Sequence, residues 1–263
     1  MFDTGRLRDA LIVQRRVIFA LLMREVLTRY GRHNIGFLWL FLEPMIFTLA
    51  VTALWTATKA VHGSNLPIVA FAITGYSSVL LWRNMPSRTI GALSPNLSLL
   101  YHRNVRPMDI YLSRLLLEVS GATTSFVFLI LFFVFLGLLE WPENVLQIMG
   151  GWAMLAWFGF GLAMLFGTLS ERSELIDKLW HPMAYILFPL SGAAFLVDAL
   201  PPDAQRYILL LPMVHGVDYV REGYFGSQMT AHYDMAYMAL INVVLTALGL
   251  SQLGYVSRTV IPE

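Results

Sequence analysis

The chain has 263 residues, of which 57% are hydrophobic and 13% charged, against roughly 45–50% and about 25% in a soluble domain. That much apolar surface exceeds what a soluble core buries, so the composition predicts an integral membrane protein. A net charge of +1 supplies no basic field for a nucleic acid, and the absence of cysteine excludes disulfides, thiolate catalysis and Cys-ligated metals.

Residues 7–30 place Leu7, Leu11, Ile18, Leu21, Leu22 and Val26 near helical spacing with Arg8, Arg15, Arg16 and Arg24 between them. This predicts a helix along the cytoplasmic interface, or an arm packed on a partner. The opening residues carry acids and arginines and lack a small-residue cleavage site, so they are expected to stay in the mature chain. Arg24, Arg29, Arg32 and His33 then form a basic flank of the kind retained on the cytoplasmic side. From Phe37 to Thr58 the only formal charge is Glu43, and 22 helical residues cross a hydrocarbon core of about 30 Å. This is the first predicted span.

A polar hairpin over 59–66 leads to a second apolar run from Pro67 to Trp82, expected to continue as helix past the interface. The stretch 87–106 is polar and basic, broken at Ser94-Pro95 and before Pro107, with room for about two turns of helix over Asn96–His102 on the cytoplasmic face. A third span runs from Met108 or Asp109 to Leu139, longer than a bilayer requires. Glu140 to Glu143 form an outer turn. The fourth span, Val145–Ser170, carries Gly159, Ala163 and Gly167 at i, i+4 spacing, which admits a closely packed helix. A charged connection over 171–178 precedes a fifth span, Leu179–Leu196, kinked at Pro182 and Pro189. Between Val197 and Asp234 two short apolar pieces divided by Pro212 read as paired outer helices, re-entrant against a pore or resting on lipid. Met235–Val256 is the sixth span and 257–263 a cytoplasmic tail.

The predicted fold is therefore all-α: a single membrane domain over 1–263, with an interfacial helix over 1–35 and six transmembrane helices over 36–256. Of 18 Lys and Arg, all but Lys59, Arg206 and Arg221 fall on the proposed cytoplasmic side, which places both termini inside.

The chemistry available is narrow. Neither lysine, Lys59 or Lys178, ends the glycine-rich loop of a nucleotide site. Pro189-Leu190-Ser191-Gly192 partly resembles a rhomboid nucleophile, but its first Gly is missing and the sixth span has no His to serve as base. The six histidines show no ligand spacing, so no metal or cofactor is expected in this chain.

Three segments carry a resemblance: RYGRHNIGFLWLFLEPM (29–45), NLSLLYHRNVRPMDIYLSRLLLE (96–118) and PMVHGVDYVREGYFG (212–226). They are similar to the transmembrane subunit of ABC-2 type exporters, and most to the permeases of capsular-polysaccharide export, which are related to those for O-antigen and teichoic acid. The resemblance covers nearly the whole chain in the same order of elements. It implies a homodimeric channel in the bacterial inner membrane, each subunit docking a separate ATPase that binds ATP and Mg. It also implies a lipid-linked polysaccharide substrate, and periplasmic and outer-membrane proteins continuing the path.

Site residues follow as expectations. Arg24, Arg29, Arg32 and His33 would meet an anionic headgroup at the inner entrance, or only anchor the topology. Glu43, roughly 10 Å deep, is either functional or an ion-paired structural acid. Trp39, Trp55, Phe71 and Tyr76 would line the channel, or pack; Trp82, Trp141 and Trp180 read as interfacial belt residues. Asn96, Leu97, Leu99, Leu100 and Tyr101 form the expected ATPase contact, with Arg103 and Arg106 at its rim. At the outer gate, Ile208, Leu210, Leu211 and Val214 would exclude water, while Arg221 and Glu222 pair with each other or across the dimer. A permease for another amphiphile, or a non-transporting scaffold or enzyme, are the alternatives.

Overall fold

The computed structural model describes residues 4–30, 34–58, 66–101 and 104–259. Among these, all regular structure is helical: α1 (Thr4–Tyr30), α2 (Asn34–Thr58), α3 (Ile68–Thr89), the single turn α4 (Leu97–Leu100), α5 (Pro107–Phe135), α6 (Val145–Ser170), α7 (Glu174–Leu190), α8 (Pro202–Ile208), α9 (Pro212–Phe225) and α10 (Met235–Thr259). Leu38–Thr58, Pro107–Phe135, Val145–Ser170 and Met235–Ser257 are long and apolar enough to cross a membrane. α5 begins at Pro107, just before the expected start at Met108 or Asp109, and ends at Phe135, short of the expected Leu139; α6 has the expected limits, with Asn144 capping it by accepting from Gln147 N at 3.0 Å.

The bundle is built around α3. From Ala70 to Trp82 every side chain of this helix is buried, between α2, α5 and α6 with α7 and α9 above. Small and hydroxylated residues make this possible: Ala70, Ala72, Gly75, Ser77 and Ser78 hold neighbours close, and Thr74 and Ser78 return their hydroxyls to carbonyls one turn back at 2.8 and 2.6 Å. The fourth-span glycines do what their spacing implied. A Cβ on Gly159 would lie 2.9 Å from Trp82 Cα, and one on Gly167 would lie 2.7 Å from Thr89 Cβ. Thr89 reaches over this contact to the Ala163 carbonyl at 2.7 Å. Enclosure of α3 also moves two tryptophans from the expected belt into the core. Trp82 packs edge-on to Phe158, and fully buried Trp180 donates to Ser87 Oγ at 2.9 Å. Trp141 is exposed.

The predicted fifth span is displaced. Ser173 accepts from Leu175 N at 3.3 Å, and Glu174 and Asp177 fill the first turn of α7, so the helix starts five residues earlier than its apolar run. It passes through Pro182 and ends one residue after Pro189. Residues 191–196 then turn sharply, with Gly192 at φ +81°. α9 runs antiparallel to α6, with Gly223 against Ile148 and Gly216 against Leu155. Gly216 therefore lies about 15 Å along α6 from its start, within the helix layer.

Candidate functional site

At the end of α3 that carries Arg83, Asn84 and Arg88, helices α1, α2, α3 and α5 leave an open cleft of about 200 Å³. Its polar wall is an ion-pair cluster. Glu118 of α5 is buried and receives Arg29 of α1 together with Arg88 of α3, whose Nε lies 2.9 Å away. Glu43 of α2 stands 3.8 Å from Arg88 and 4.0 Å from Arg29. A carboxylate this far from solvent is tolerable with two guanidiniums on it, because removing either leaves a charge without compensation. Arg83 completes the wall differently: it faces the rings of Tyr185 and Phe188 on α7, 5.4 and 5.9 Å from their centroids. Tyr76 also lines the cleft and meets Phe188 edge-on.

Of the expected channel residues, Glu43 and Tyr76 share this cleft, and Glu43 is ion-paired. Trp39 is exposed on the outside of α2. Trp55 and Phe71 pack on each other at 6.0 Å in the core, and Phe71 is fully buried. Phe71 thus lines no open space in the single chain. Of the expected entrance cluster, Arg29 reaches the cleft, whereas Arg24 turns to the segment before α4, donating to Asn96 Oδ1 at 2.5 Å. Arg32, His33 and Arg103 lie outside the described residues.

The segment expected to meet an ATPase is a 3₁₀ turn, Ser94–Asn96, followed by α4, shorter than the two turns anticipated because Pro95 tightens its start. Its residues divide by direction. Asn96 is internal, donating to Ala92 O at 2.8 Å, and Leu100 is buried with Leu21, Met85, Leu93 and Ile110. Leu97 and Tyr101, one turn apart, are exposed, as is Arg106, while Leu99 is half-buried. Leu100 is therefore part of the fold and not of the free surface. Behind the segment, Leu93 N donates to Glu171 Oε1 at 3.2 Å, and burial pushes the Glu171 carboxyl above its usual range against the lowering effect of that bond.

At the other end of α3, Arg221 is almost wholly buried. Its Nη1 donates to the carbonyls of Gly192 and Phe195 at 2.5 and 2.8 Å, its Nη2 to those of Ala193 and Phe71 at 2.5 and 3.4 Å, and its guanidinium covers the Phe71 ring at 3.7 Å. Glu222 points elsewhere, accepting from Gln147 Nε2 at 2.5 Å and from the Tyr233 hydroxyl at 2.7 Å. Partial burial, then that hydrogen bond, pushes the Tyr233 phenol up to about 12. Within the chain the expected Arg221–Glu222 pair does not form, since successive helical residues diverge by about 100°. The remaining polar residues of α9 bracket the same region. His215 lies between Leu209 O and Asp234 N, each at 2.8 Å, so Nε2 carries the proton; Asp218 accepts from His232 N at 2.6 Å. Ile208 and Val214 are buried, Leu211 half-buried and Leu210 exposed.

These features define a class: an all-helical protein, over the described residues, with four helices long and apolar enough to cross a membrane, an open cleft lined by ion-paired arginines and glutamates, and at the other end of α3 a turn held by a buried arginine. The family model for ABC-2 type transporters matches residues 16–225. The chain is 43% identical over 255 residues to the capsule polysaccharide export inner-membrane protein CtrC of Neisseria meningitidis serogroup B, covering 97% of this chain and 96% of the relative. It is 39% identical over 261 residues to the capsule polysaccharide export inner-membrane protein BexB of Haemophilus influenzae, covering 99% and 98%. To the polysialic acid transport protein KpsM of Escherichia coli it is 25% identical, covering 93% and 95%. The chain belongs to the ABC-2 type transporter family.

Sequence reading did not single out Arg83, Arg88 or Glu118. The available signal was the third predicted span itself, where Arg114 and Glu118 are charges within a run long enough to cross a bilayer, which marks a functional position by default.

Proposed function

We propose that this chain is the permease subunit of an ATP-driven ABC transporter that carries lipid-linked capsular polysaccharide from the cytoplasmic side across the bacterial inner membrane. The observation that carries this reading is the end-to-end match to capsule export inner-membrane proteins, 97% of this chain against 96% of CtrC. In this reading α2, α3, α5, α6, α7 and α10 are six crossings, and both termini lie in the cytoplasm. α3 needs no lipid-compatible surface because other helices surround it, and α7 is short because the chain turns back at 191–196.

Two copies enclose the path, and each docks a separate ATPase that binds ATP and Mg; no cofactor resides in this chain. Leu97 and Tyr101 present the apolar contact to that ATPase, with Arg106 at the rim. The cleft around Glu43 and Arg29 receives the anionic end of the substrate. α8 and α9 close the outer end, from which periplasmic and outer-membrane export proteins continue the route.

The test is complementation. In an encapsulated host lacking its own export permease, expression of this chain is expected to restore surface polysaccharide. Polymer retained in the cytoplasm despite normal membrane insertion and ATPase association would refute the reading.

A further inference from the structure

Between α3 and α5 the chain reverses through Gly91, at φ +62°. Some backbone donors of this turn close on carbonyls of the same stretch: Ile90 N on Pro86 O, Ala92 N on Thr89 O and Asn96 N on Leu93 O, at 2.8 to 3.0 Å. The donors of Gly91 and Leu93 are met from outside it. Gly91 N donates to Ser170 Oγ at 3.1 Å and Leu93 N to Glu171 Oε1 at 3.2 Å. The last residue of α6 and its successor therefore hold two alternate amides of the turn, while Leu93 and Leu100 fix its apolar side by packing with Leu21, Met85 and Ile110.

The two residues that follow engage other helices. Arg172 lays its guanidinium over the Tyr255 ring of α10 at 3.8 Å, and Ser173 caps α7. Ser170 is itself fixed by donating to Gly167 O at 2.7 Å, a carbonyl that also receives the Tyr111 hydroxyl of α5 at 3.2 Å. Residues 170–173 thus join the turn before α4 to α5, α6, α7 and α10. α7 is lightly held, since only Trp180 and Ala184 of its 17 residues are buried. The bonds on Gly91 and Leu93 are long for N–H···O contacts and lie at the end of the bundle, where each exchanges for water at small net cost. They can open and close without unpacking the core.

We propose that Glu171, assisted by Ser170, is a positioning residue for the coupling of ATP hydrolysis to export. It sets where the turn presents Leu97 and Tyr101 relative to α7, so that displacement of the turn by the ATPase is carried through 170–173 into that helix. The inference rests on the export reading, in which Leu97 and Tyr101 meet the ATPase; the two hydrogen bonds do not depend on it.

The test uses the full-length chain purified with the ATPase that associates with it. Glu171→Ala removes the acceptor of Leu93 N, Ser170→Ala removes that of Gly91 N, and Glu171→Gln keeps an acceptor. Amide hydrogen exchange over 90–101 is expected to quicken in the two alanine variants and to stay parental in Glu171→Gln. Export per ATP hydrolysed is then compared, from surface polysaccharide in the complementation host and hydrolysis by the purified complex. Glu171→Ala is expected to keep its ATPase and a parental KM for ATP while export per ATP falls about tenfold, the size of one hydrogen bond to a charged acceptor. Glu171→Gln is expected to restore most of it. A purely structural role would lower yield and thermal midpoint and leave export per ATP unchanged.

Parental export per ATP in folded Glu171→Ala overturns the inference, and so does unchanged exchange at the turn. Loss of ATPase association would overturn it too, by placing the residue in docking. An equal fall in Glu171→Gln and Glu171→Ala would refute the hydrogen bond as the cause. Should Glu171→Ala not fold, Ser170→Ala carries the same expectation and the same refutation. A parent chain that holds its ATPase and exports nothing removes the export reading and this inference with it, whereas normal export by parent and variants alike removes only this one.

Discussion

Gly75→Ala is the smallest change that addresses the contact of Arg221 with the 191–196 turn, and two effects of opposite sign bear on it. In a helix interior alanine is favoured over glycine by about 1 kcal/mol. Against this, a Cβ at position 75 would lie 2.6 Å from Ala193 O, 3.1 Å from Ala193 Cα and closer still to Arg221 Nη2. The methyl group wedges between the donor and the acceptor of one hydrogen bond, of which the acceptor side is backbone and cannot rotate away. Overpacking costs about 1–3 kcal/mol, and a hydrogen bond from a charged group contributes about 1.5–3. Sterics therefore exceed propensity, for a net destabilisation of about 2–4 kcal/mol. The expected readout is a fall in thermal midpoint of order 10 °C for the purified protein, with faster proteolysis at 191–196. Gly254→Ala on α10 is the control, since its Cβ meets nothing within 4 Å, and it is expected to be neutral or slightly stabilising. A Gly75→Ala protein as stable as the parent would refute the account of Arg221 as the clamp on that turn.

Arg221→Lys is expected to destabilise as well, because one ammonium cannot reach four carbonyls arranged around a planar fork; an unchanged melting curve would count against it. Leu97→Asp and Tyr101→Asp are expected to leave folding within about 0.5 kcal/mol while abolishing ATPase co-purification, whereas Leu100→Asp, at a buried position, is expected to fail at the folding step. Size-exclusion profiles and pull-down yields separate the two outcomes. For Glu171 the carboxyl is raised in the folded chain, so its contribution is fully present below the ordinary carboxylate range and is lost as pH rises through the folded value. Glu171→Gln keeps an acceptor for Leu93 N and is expected to be at least as stable as the parent at pH 7, with a flatter stability profile between pH 4 and 7 by melting measurements.

Helix limits were legible wherever a local signal sets them. α6 starts at the expected Val145, behind the Asn144 cap, and α5 opens at the Pro107 break, within two residues of its expected start, because caps and prolines act on their own backbone. The partner of an apolar face is not a local property. The second run reads like the other spans, yet α3 is enclosed by protein, which turns Trp82 and Phe71 from membrane or channel residues into core. Arg221 and Glu222 look like a pair because they are adjacent, and adjacency on a helix separates them. The motif 212–226 was legible as a motif, but its His215, Asp218, Arg221 and Glu222 bind backbone and neighbouring side chains around α9, which no spacing rule reveals. The cleft escaped for the same reason: its charges come from four helices, one or two from each.

α1 has apolar residues on more than one face. Leu21 and Val26 are buried against α5 and its neighbours, while Leu11, Phe19, Met23 and Leu27 remain exposed. One side packs on the chain's own bundle, and the other leaves an apolar surface exposed. Its polar residues then connect separate parts of the bundle: Gln14 to Asp109, Arg24 to Asn96, Glu25 to Arg114 at 3.3 Å and Arg29 to Glu118. Arg24 and Arg29 are about 7.5 Å apart along the helix axis, and between them the helix is continuous. A rigid rod cannot shift at one of these points and stay fixed at the other. A shift of α1 as a whole would therefore strain both the Arg29–Glu118 contact and the Arg24–Asn96 bond beside the turn that presents Leu97 and Tyr101. The cleft and that turn thus share contacts with one continuous helix.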